Sequence, residues 1–224
     1  MGVDHQGVVW MATSGGLSRY DGHSFRNFTT RDGLIHDEVQ VVFLDPEGTV
    51  WCGMPSGVSS YDGHRFRNFT TQDGLIDPWA RVKLRDADGI LWVGTQQGLS
   101  RYDGRSFHTF TSRDGLAGTT INALCADGRG GLWIGTDKGL SHYDGHTFTT
   151  REGLANSPIH ILHVDTDGVM WLGTDGGLWR YDGDTVRTFT TRDGLASNQV
   201  LSLFRDRQGL LWCGTADGGA SAYD

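Results

Sequence analysis

This chain of 224 residues lacks several features that would assign a function directly. Its three cysteines are too few for a disulfide framework, and Cys52 and Cys213 occupy one repeat position as small apolar residues. The net charge of 19 − 27 = −8 argues against binding to a nucleic-acid backbone, which requires clustered Lys and Arg. No run approaches the ~20 apolar residues of a membrane span, and no basic-then-apolar leader precedes the first repeat. We therefore expect no nucleic-acid partner, no membrane span and no signal peptide in this sequence.

Tryptophan, in contrast, recurs at an almost constant interval. The recurring residues are Trp10, Trp51, Trp92, Trp133, Trp171 and Trp212. Successive members are 41 residues apart, except for a spacing of 38 between Trp133 and Trp171. A fixed period of this size indicates a repeat architecture. The 34 glycines fall at fixed places in each repeat, so they mark turns rather than disorder.

Each repeat contains four short segments separated by turn signals, which predicts four antiparallel strands. In the third repeat we expect the second, third and fourth strands at residues 90–95, 99–102 and 107–111, and the next first strand at 121–125. An Asp-x-x-Gly turn follows each first strand, and a Tyr-Asp-Gly hairpin follows each third strand. No segment has helical apolar spacing.

The second strand of each repeat is apolar on both alternating faces. Leu91 and Val93 point one way and Trp92 points the other, so the sheet must be covered on both sides. Radial stacking of four-stranded sheets satisfies this requirement, which predicts an all-β protein with a β-propeller fold of four-stranded antiparallel blades. We expect one domain over residues 1–224, with repeats at 4–44, 45–85, 86–126, 127–164 and 165–205 and a partial repeat at 206–224.

The two terminal repeats are expected to be incomplete. The first copy starts at Asp4 with its second strand, and the last copy ends at Asp224 after its third strand. Three arrangements stay open: six blades of which two are three-stranded, five closed blades with residues 208–224 redundant, or part of a longer propeller. We favour about six blades, cut from or related to something longer.

The repeat resembles a known family. The block Asp-x-x-Gly-x-Leu-Trp-x-Gly-Thr-x-x-Gly-Leu-Ser-Arg-Tyr-Asp-Gly, followed by Phe-Thr-Thr-Arg-Asp-Gly-Leu, is similar to the two-component regulator propeller repeat; Asp86–Leu116 and Asp165–Leu195 match best. Such repeats occur in extracytoplasmic sensor regions of bacterial hybrid two-component systems. The resemblance implies a periplasmic or otherwise extracytoplasmic input module, in proteins that often sense glycans through a region joined to a membrane-spanning histidine kinase. The partner that we expect is the remainder of a sensor kinase or a second copy of the chain. The sequence contains no kinase, so kinase activity is not carried over.

Positions that differ between copies are the place to look for binding, because variable loops on a rigid scaffold carry specificity. Trp79 stands out, since its counterparts in other repeats are Glu38, Thr120, Pro158 and Gln199. Its ring is a candidate for stacking on a sugar or other small-molecule ligand while polar side chains on the same rim bond the hydroxyl groups; the competing interpretation is that Trp79 covers the end of a blade. The predicted ligand-binding residues are His36, Asp37, Asp77, Trp79, Gln96, Gln97, Asn156 and Asn198.

Charged residues give weaker indications. Arg81, in an inner first strand, is a candidate for contact with an anionic ligand, although pairing with neighbouring acids is the competing interpretation. Asp86–Gly89 and Asp165–Gly168 resemble fragments of a calcium loop but lack its further ligands, so turn chemistry explains them better. We expect no cofactor and no metal.

Two alternative functions stay open. Propeller lyases that open antibiotic rings have a similar repeat and use His and Glu with a divalent metal; here His36, Asp37 and Glu38 form the only local acid–base cluster in the crossovers. The second alternative is an amplified or engineered scaffold without its own ligand, because residues 24–30 and 65–71 are nearly identical. We favour a binding module over an enzyme.

Overall fold

The protein is described here by a computed structural model that covers residues 1–80, 82–86, 88–155 and 157–224. It forms two compact units, Met1–Phe110 and Thr111–Asp224. Each unit contains three antiparallel sheets whose strands follow chain order, so neighbouring strands are joined by hairpins. The predicted all-β class and the four-stranded repeat are confirmed.

The first unit holds three four-stranded sheets. The first sheet consists of β1 (Gly2–Val3), β2 (Val9–Thr13), β3 (Gly16–Tyr20) and β4 (Phe25–Phe28). The second sheet consists of β5 (Val41–Leu44), β6 (Val50–Met54), β7 (Gly57–Tyr61) and β8 (Phe66–Phe69). The third sheet consists of β9 (Val82–Arg85), β10 (Leu91–Gly94), β11 (Leu99–Tyr102) and β12 (Phe107–Phe110).

The second unit holds two four-stranded sheets and one three-stranded sheet. The fourth sheet consists of β13 (Ile121–Ala126), β14 (Leu132–Thr136), β15 (Gly139–Tyr143) and β16 (Phe148–Ala155). The fifth sheet consists of β17 (Ile159–Val164), β18 (Met170–Thr174), β19 (Gly177–Tyr181) and β20 (Val186–Phe189). The sixth sheet consists of β21 (Val200–Arg205), β22 (Leu211–Thr215) and β23 (Ala220–Tyr223).

The first sheet differs from the expectation. Gly2 pairs with Trp10 and Val3 pairs with Val9, so a two-residue strand completes this sheet. The prediction that the first copy begins with its second strand is therefore wrong. A glycine followed by one valine is too short a run to show strand periodicity in the sequence.

An unpredicted 3-10 turn follows the fourth strand in four of the sheets. These turns span Thr30–Asp32, Thr71–Asp73, Ser112–Asp114 and Thr191–Asp193. In the first of them, the amide of Thr29 donates to the Asp32 carboxylate (2.9 Å) while Thr29 Oγ1 accepts from the amide of Arg31 (3.3 Å). This reciprocal capping box explains the recurring Thr-Thr-Arg-Asp-Gly block, whose glycine adopts positive φ after the turn.

In five of the six repeats, the Asp that opens the Asp-x-x-Gly turn also anchors the repeat tryptophan. Asp45 Oδ1 accepts from the amide of Thr49 (2.8 Å), and its Oδ2 accepts from Trp51 Nε1 (2.9 Å). An arginine at the end of the next inner strand joins this group, since Arg85 Nη1 lies 2.5 Å from Asp45 Oδ2. The same Asp–Trp bond occurs at Asp4–Trp10, Asp86–Trp92, Asp165–Trp171 and Asp206–Trp212.

Neighbouring sheets within a unit pack through two different faces. The face that carries the repeat tryptophan, here called the Trp face, also carries a phenylalanine of the fourth strand, as in the Trp171–Phe189 pair at 6.0 Å between ring centroids. The opposite face carries the tyrosine that ends the third strand and is here called the Tyr face. Aromatic packing of one face on the other builds the core of each unit, because large rings bury the most apolar area.

Candidate functional site

Two segments that vary between repeats lie at one edge of a sheet. One is the loop between the second and third strands, and the other is the crossover, which leads from the preceding repeat into the first strand. In the third sheet Gly94 pairs with Val82, the first residue of β9, and also with Leu99, the first residue of β11. The loop at residues 95–98 therefore adjoins the end of the crossover at residues 75–80. We call this the crossover edge, and the predicted ligand residues belong to its segments.

The first predicted group, on the crossover into the second sheet, is bonded within its own loop. His36 Nδ1 accepts from the amide of Glu38 (3.0 Å), and Asp37 Oδ1 accepts from the amide of Thr30 (2.7 Å). Glu38 Oε1 accepts from Gln40 Nε2 (3.1 Å). These contacts shape the crossover, so the acid–base cluster that suggested an enzyme has a structural use for each member.

Trp79 lies on the crossover into the third sheet and is held from its backbone. Asp77 is buried, and its Oδ1 accepts from the amide of Trp79 (2.7 Å). The same crossover is fastened to the sheet by the amide of Ile76, which donates to Ser100 Oγ (3.1 Å). The indole of Trp79 is nevertheless 44% exposed, whereas the repeat residue Trp92 of the same sheet is 2% exposed. A fixed backbone with an exposed ring is the arrangement that a stacking platform requires.

The remaining predicted residues of the first unit lie on the adjoining loop. Gln96 and Gln97 are exposed, and the amide of Gln97 donates to Thr95 Oγ1 (3.2 Å), which fixes the loop. The predicted residue Arg81 lies outside the described residues.

In the second unit, Asn198 repeats the role of Asp37. Its Oδ1 accepts from the amide of Thr191 (2.8 Å), and the residue is exposed. The equivalent Asn156 lies outside the described residues. The structure thus places six predicted residues on crossover-edge segments of the first unit and Asn198 on such a segment of the second.

The crossover edge of the second unit carries a polar cluster that the site prediction missed. His160 Nε2 lies 2.8 Å from Asp175 Oδ1, and Gln199 Nε2 donates to the same oxygen at 2.8 Å. The hydrogen bonds from His160 and Gln199 hold the pKa of Asp175 below its usual range. All three positions vary between repeats; the pairing of Ile159 with Thr174 brings His160 and Asp175 together, and Gln199 reaches them from the next crossover. Such a cluster can be predicted from the sequence by asking which variable positions lie opposite each other in the expected hairpin register.

The opposite edge, with its Asp turns, serves the fold. In Asp86 one carboxylate oxygen accepts from the amides of Asp88 and Ile90, and the other accepts from Trp92 Nε1 at 2.7 Å. Within the part of the chain that the structure describes, no three or more His, Cys, Asp or Glu side chains are grouped to hold a metal ion. In the same described ranges, no helix has the length and apolar character needed to cross a membrane.

The four-stranded sheets, their period and their crossover edges define a protein of the β-propeller repeat class. The model of the two-component regulator propeller family matches three segments, at residues 115–138, 153–176 and 194–217. Each segment runs from the end of one repeat through the crossover, the inner strand and the tryptophan strand of the next. These three segments of the second unit therefore carry two-component regulator propeller repeats.

Solved propeller structures share this fold. The extracellular domain assigned to hybrid two component system BT3049 from B. thetaiotaomicron has a TM-score of 0.82 and 21% identity, over 97% of this chain and 32% of that chain. PorZ, a surface component of the type-IX secretion system of Porphyromonas gingivalis, has a TM-score of 0.81 and 21% identity, over 97% of this chain and 37% of that chain. Virginiamycin B lyase from Staphylococcus aureus has a TM-score of 0.68 and 12% identity, over 99% of this chain and 82% of that chain.

The chain spans about a third of the length of the first two structures. At these identities the likeness shows the propeller fold and carries no activity to this chain. No curated protein matches the chain in sequence.

Proposed function

We propose that this chain is the ligand-binding part of an extracytoplasmic sensor, and that it binds a carbohydrate through the crossover edge of its first unit. The family of its repeats and its likeness to extracellular domains of two-component systems support the sensory role. In this role its partner is the remainder of a sensor kinase, which reads a change at the crossover edge. The exposed indole of Trp79 is the observation that carries the proposal.

The packing of the repeat does not explain the exposure of Trp79. The repeat tryptophans of this unit are buried and donate to an Asp, so their presence is explained by folding. Trp79 is outside that pattern, yet Asp77 fixes its backbone and nearly half of its surface meets solvent. An indole ring on a fixed backbone can stack on the apolar face of a sugar with little further ordering of the backbone.

Polar groups suited to the recognition of hydroxyl groups lie on the loop at residues 95–98, which adjoins the crossover that carries Trp79. Gln97 is exposed and stands on a loop whose backbone is fixed through Thr95. A carboxamide offers both a donor and an acceptor, which suits the paired hydroxyl groups of a sugar. In the second unit, His160, Asp175 and Gln199 form a second polar group on the same kind of edge.

Substitution of Trp79 tests the proposal. We expect Trp79→Ala to lose carbohydrate binding, measured first on a glycan array and then by titration calorimetry with a saccharide that the wild-type protein retains. Trp79→Phe should keep part of the affinity, because a smaller ring still stacks. The melting temperature should change little, since the ring is half exposed.

Glu38→Ala, at the same repeat position on the preceding crossover, is the matched control and should bind as the wild type does. Equal affinity of the Trp79→Ala and wild-type proteins would remove Trp79 from the site. Failure of the wild-type protein to bind any saccharide on the array would reject the carbohydrate class.

A further inference from the structure

The sixth sheet leaves its Trp face uncovered. Phe204 pairs in register with Trp212, and Trp212 pairs with Ala222, so the three side chains form one row across β21, β22 and β23. Phe204 is 66% exposed and Trp212 is 42% exposed, whereas Trp171, at the same repeat position, is 2% exposed. The opposite face of this sheet is buried through Leu211 and Cys213. A row of two large rings in solvent is unusual for a stable surface and marks an interaction site.

The chain itself shows what covers such a face. Within each unit, the Trp face of one sheet packs on the Tyr face of the next. The ring centroids are separated by 5.9 Å for Trp10 and Tyr61, 5.0 Å for Phe69 and Tyr102, and 4.9 Å for Trp171 and Tyr223. The occupant that fits an open Trp face is therefore a sheet that presents a tyrosine and its neighbouring apolar residues.

The first sheet presents such a surface, and it too is open. Val3 pairs with Val9, Val9 with Tyr20, and Tyr20 with Phe25, which places four apolar or aromatic side chains in one row. Phe25 is 65% exposed and stacks on Tyr20 at 4.6 Å between ring centroids. The hydroxyl of Tyr20 donates to the carbonyl of Gly22 (2.9 Å), so its ring is free to meet an apolar partner without an unsatisfied hydroxyl.

We propose that the Trp face of the sixth sheet binds the Tyr face of the first sheet of a second copy of this chain. Every copy carries both faces, and each is the counterpart of the other by the packing rule that holds inside both units. The rows that meet contain no charged side chain, so their burial leaves no unpaired charge. The contact joins unlike surfaces, so it is heterologous and extends from copy to copy in a head-to-tail manner.

Two blocking substitutions test this arrangement. Phe204→Asp places a charge on the Trp face and Phe25→Asp places one on the Tyr face, so each blocks association through that face. Both side chains are about two-thirds exposed, so neither change removes core packing. In sedimentation equilibrium over a dilution series, the wild-type chain should show a mass that rises with concentration beyond that of one copy. Each variant alone should have the mass of a single chain. An equal mixture of the two variants should double that mass and go no further, because only one productive pair of faces remains.

Val186→Asp is the matched control, since Val186 is an exposed apolar residue at the repeat position of Phe25 in the fifth sheet. It should associate as the wild-type chain does. A wild-type chain that stays at the mass of one copy at every concentration would overturn the proposal, and so would a mixture of the blocked variants that does not associate. Self-association of Phe25→Asp alone would show that like faces meet, which also overturns it.

Discussion

The fourth and fifth sheets are neighbouring copies of one repeat in the second unit, and they meet the same packing requirement with different residues. In the fifth sheet, Trp171 Nε1 donates to Asp165 Oδ2 (3.3 Å) and the ring stacks on Phe189. In the fourth sheet, the carboxylate of Asp127 lies 2.8 Å from His142 Nε2. The ring of Trp133 packs on His142, with 4.2 Å between centroids.

The cover of the tryptophan differs as well. Counting from the pairs Tyr143–Phe148 and Tyr181–Val186, Arg151 takes the position that Phe189 has in the fifth sheet. Its guanidinium lies 5.4 Å from the centroid of the Trp133 ring. The fourth repeat is three residues shorter here, and β16 continues to Ala155 in place of the capped 3-10 turn. A tryptophan that needs cover and an Asp that needs a donor are therefore the constant requirements, while the residues that meet them can change.

The largest expected effect separates the two tryptophans. Trp171→Ala should lower the free energy of unfolding by about 3–5 kcal/mol, because a fully buried ring leaves a cavity. Trp133→Ala should cost only about 1–2 kcal/mol, since Trp133 is partly exposed and its removal loses less buried area. Urea unfolding followed by circular dichroism measures both. Equal losses would show that the two copies are energetically equivalent despite their different contacts.

The strands of this fold could be predicted from the sequence because the repeat spacing and the turn residues indicate the same strand boundaries. The spacing of Trp92 and Trp133, the Asp turns and the Tyr-Asp-Gly hairpins predicted the strands within one or two residues, for example 99–102 for β11. The capped turn at Thr29 was missed because a search for apolar periodicity does not detect a turn of three residues. The local pattern of Thr followed three residues later by Asp carries that information.

The site was less accessible, because its geometry depends on register between segments. Trp79 was found from its departure from the repeat, and its exposure agrees with that selection. The burial of Asp77 and the bonding of Asp37 to a backbone amide do not follow from residue type. An aspartate in a loop can either face a ligand or bond the backbone, and the sequence does not distinguish the two roles. The cluster of His160 and Asp175 required the pairing of β17 with β18.

The next effect concerns the residue that covers Trp133. Arg151→Phe should raise the free energy of unfolding by about 1 kcal/mol, since it restores the aromatic pair of the regular repeat and removes a buried Nε that has no hydrogen-bond partner among the described residues. Arg187→Phe, on an exposed position of the fifth sheet, is the control and should not stabilise. A loss of stability in Arg151→Phe would mean that the shortened fourth repeat has no room for the ring.

The smallest effect is a pH dependence of the Asp127–His142 pair. Burial acts to raise the pKa of Asp127, but the hydrogen bonds from His142 and from the amides of Arg129 and Gly131 outweigh it and hold the pKa below its usual value. A carboxyl whose pKa is depressed on folding adds stability above its unfolded pKa of about 3.9, and this stability is lost as the pH falls through the folded pKa.

Asp127→Asn should therefore flatten the loss of stability below about pH 4, at a cost under about 1 kcal/mol at neutral pH. His142→Gln keeps a donor without the imidazole and should give an intermediate slope in urea unfolding at several pH values. An unchanged acid dependence in Asp127→Asn would show that the pair replaces the Asp–Trp bond in geometry alone.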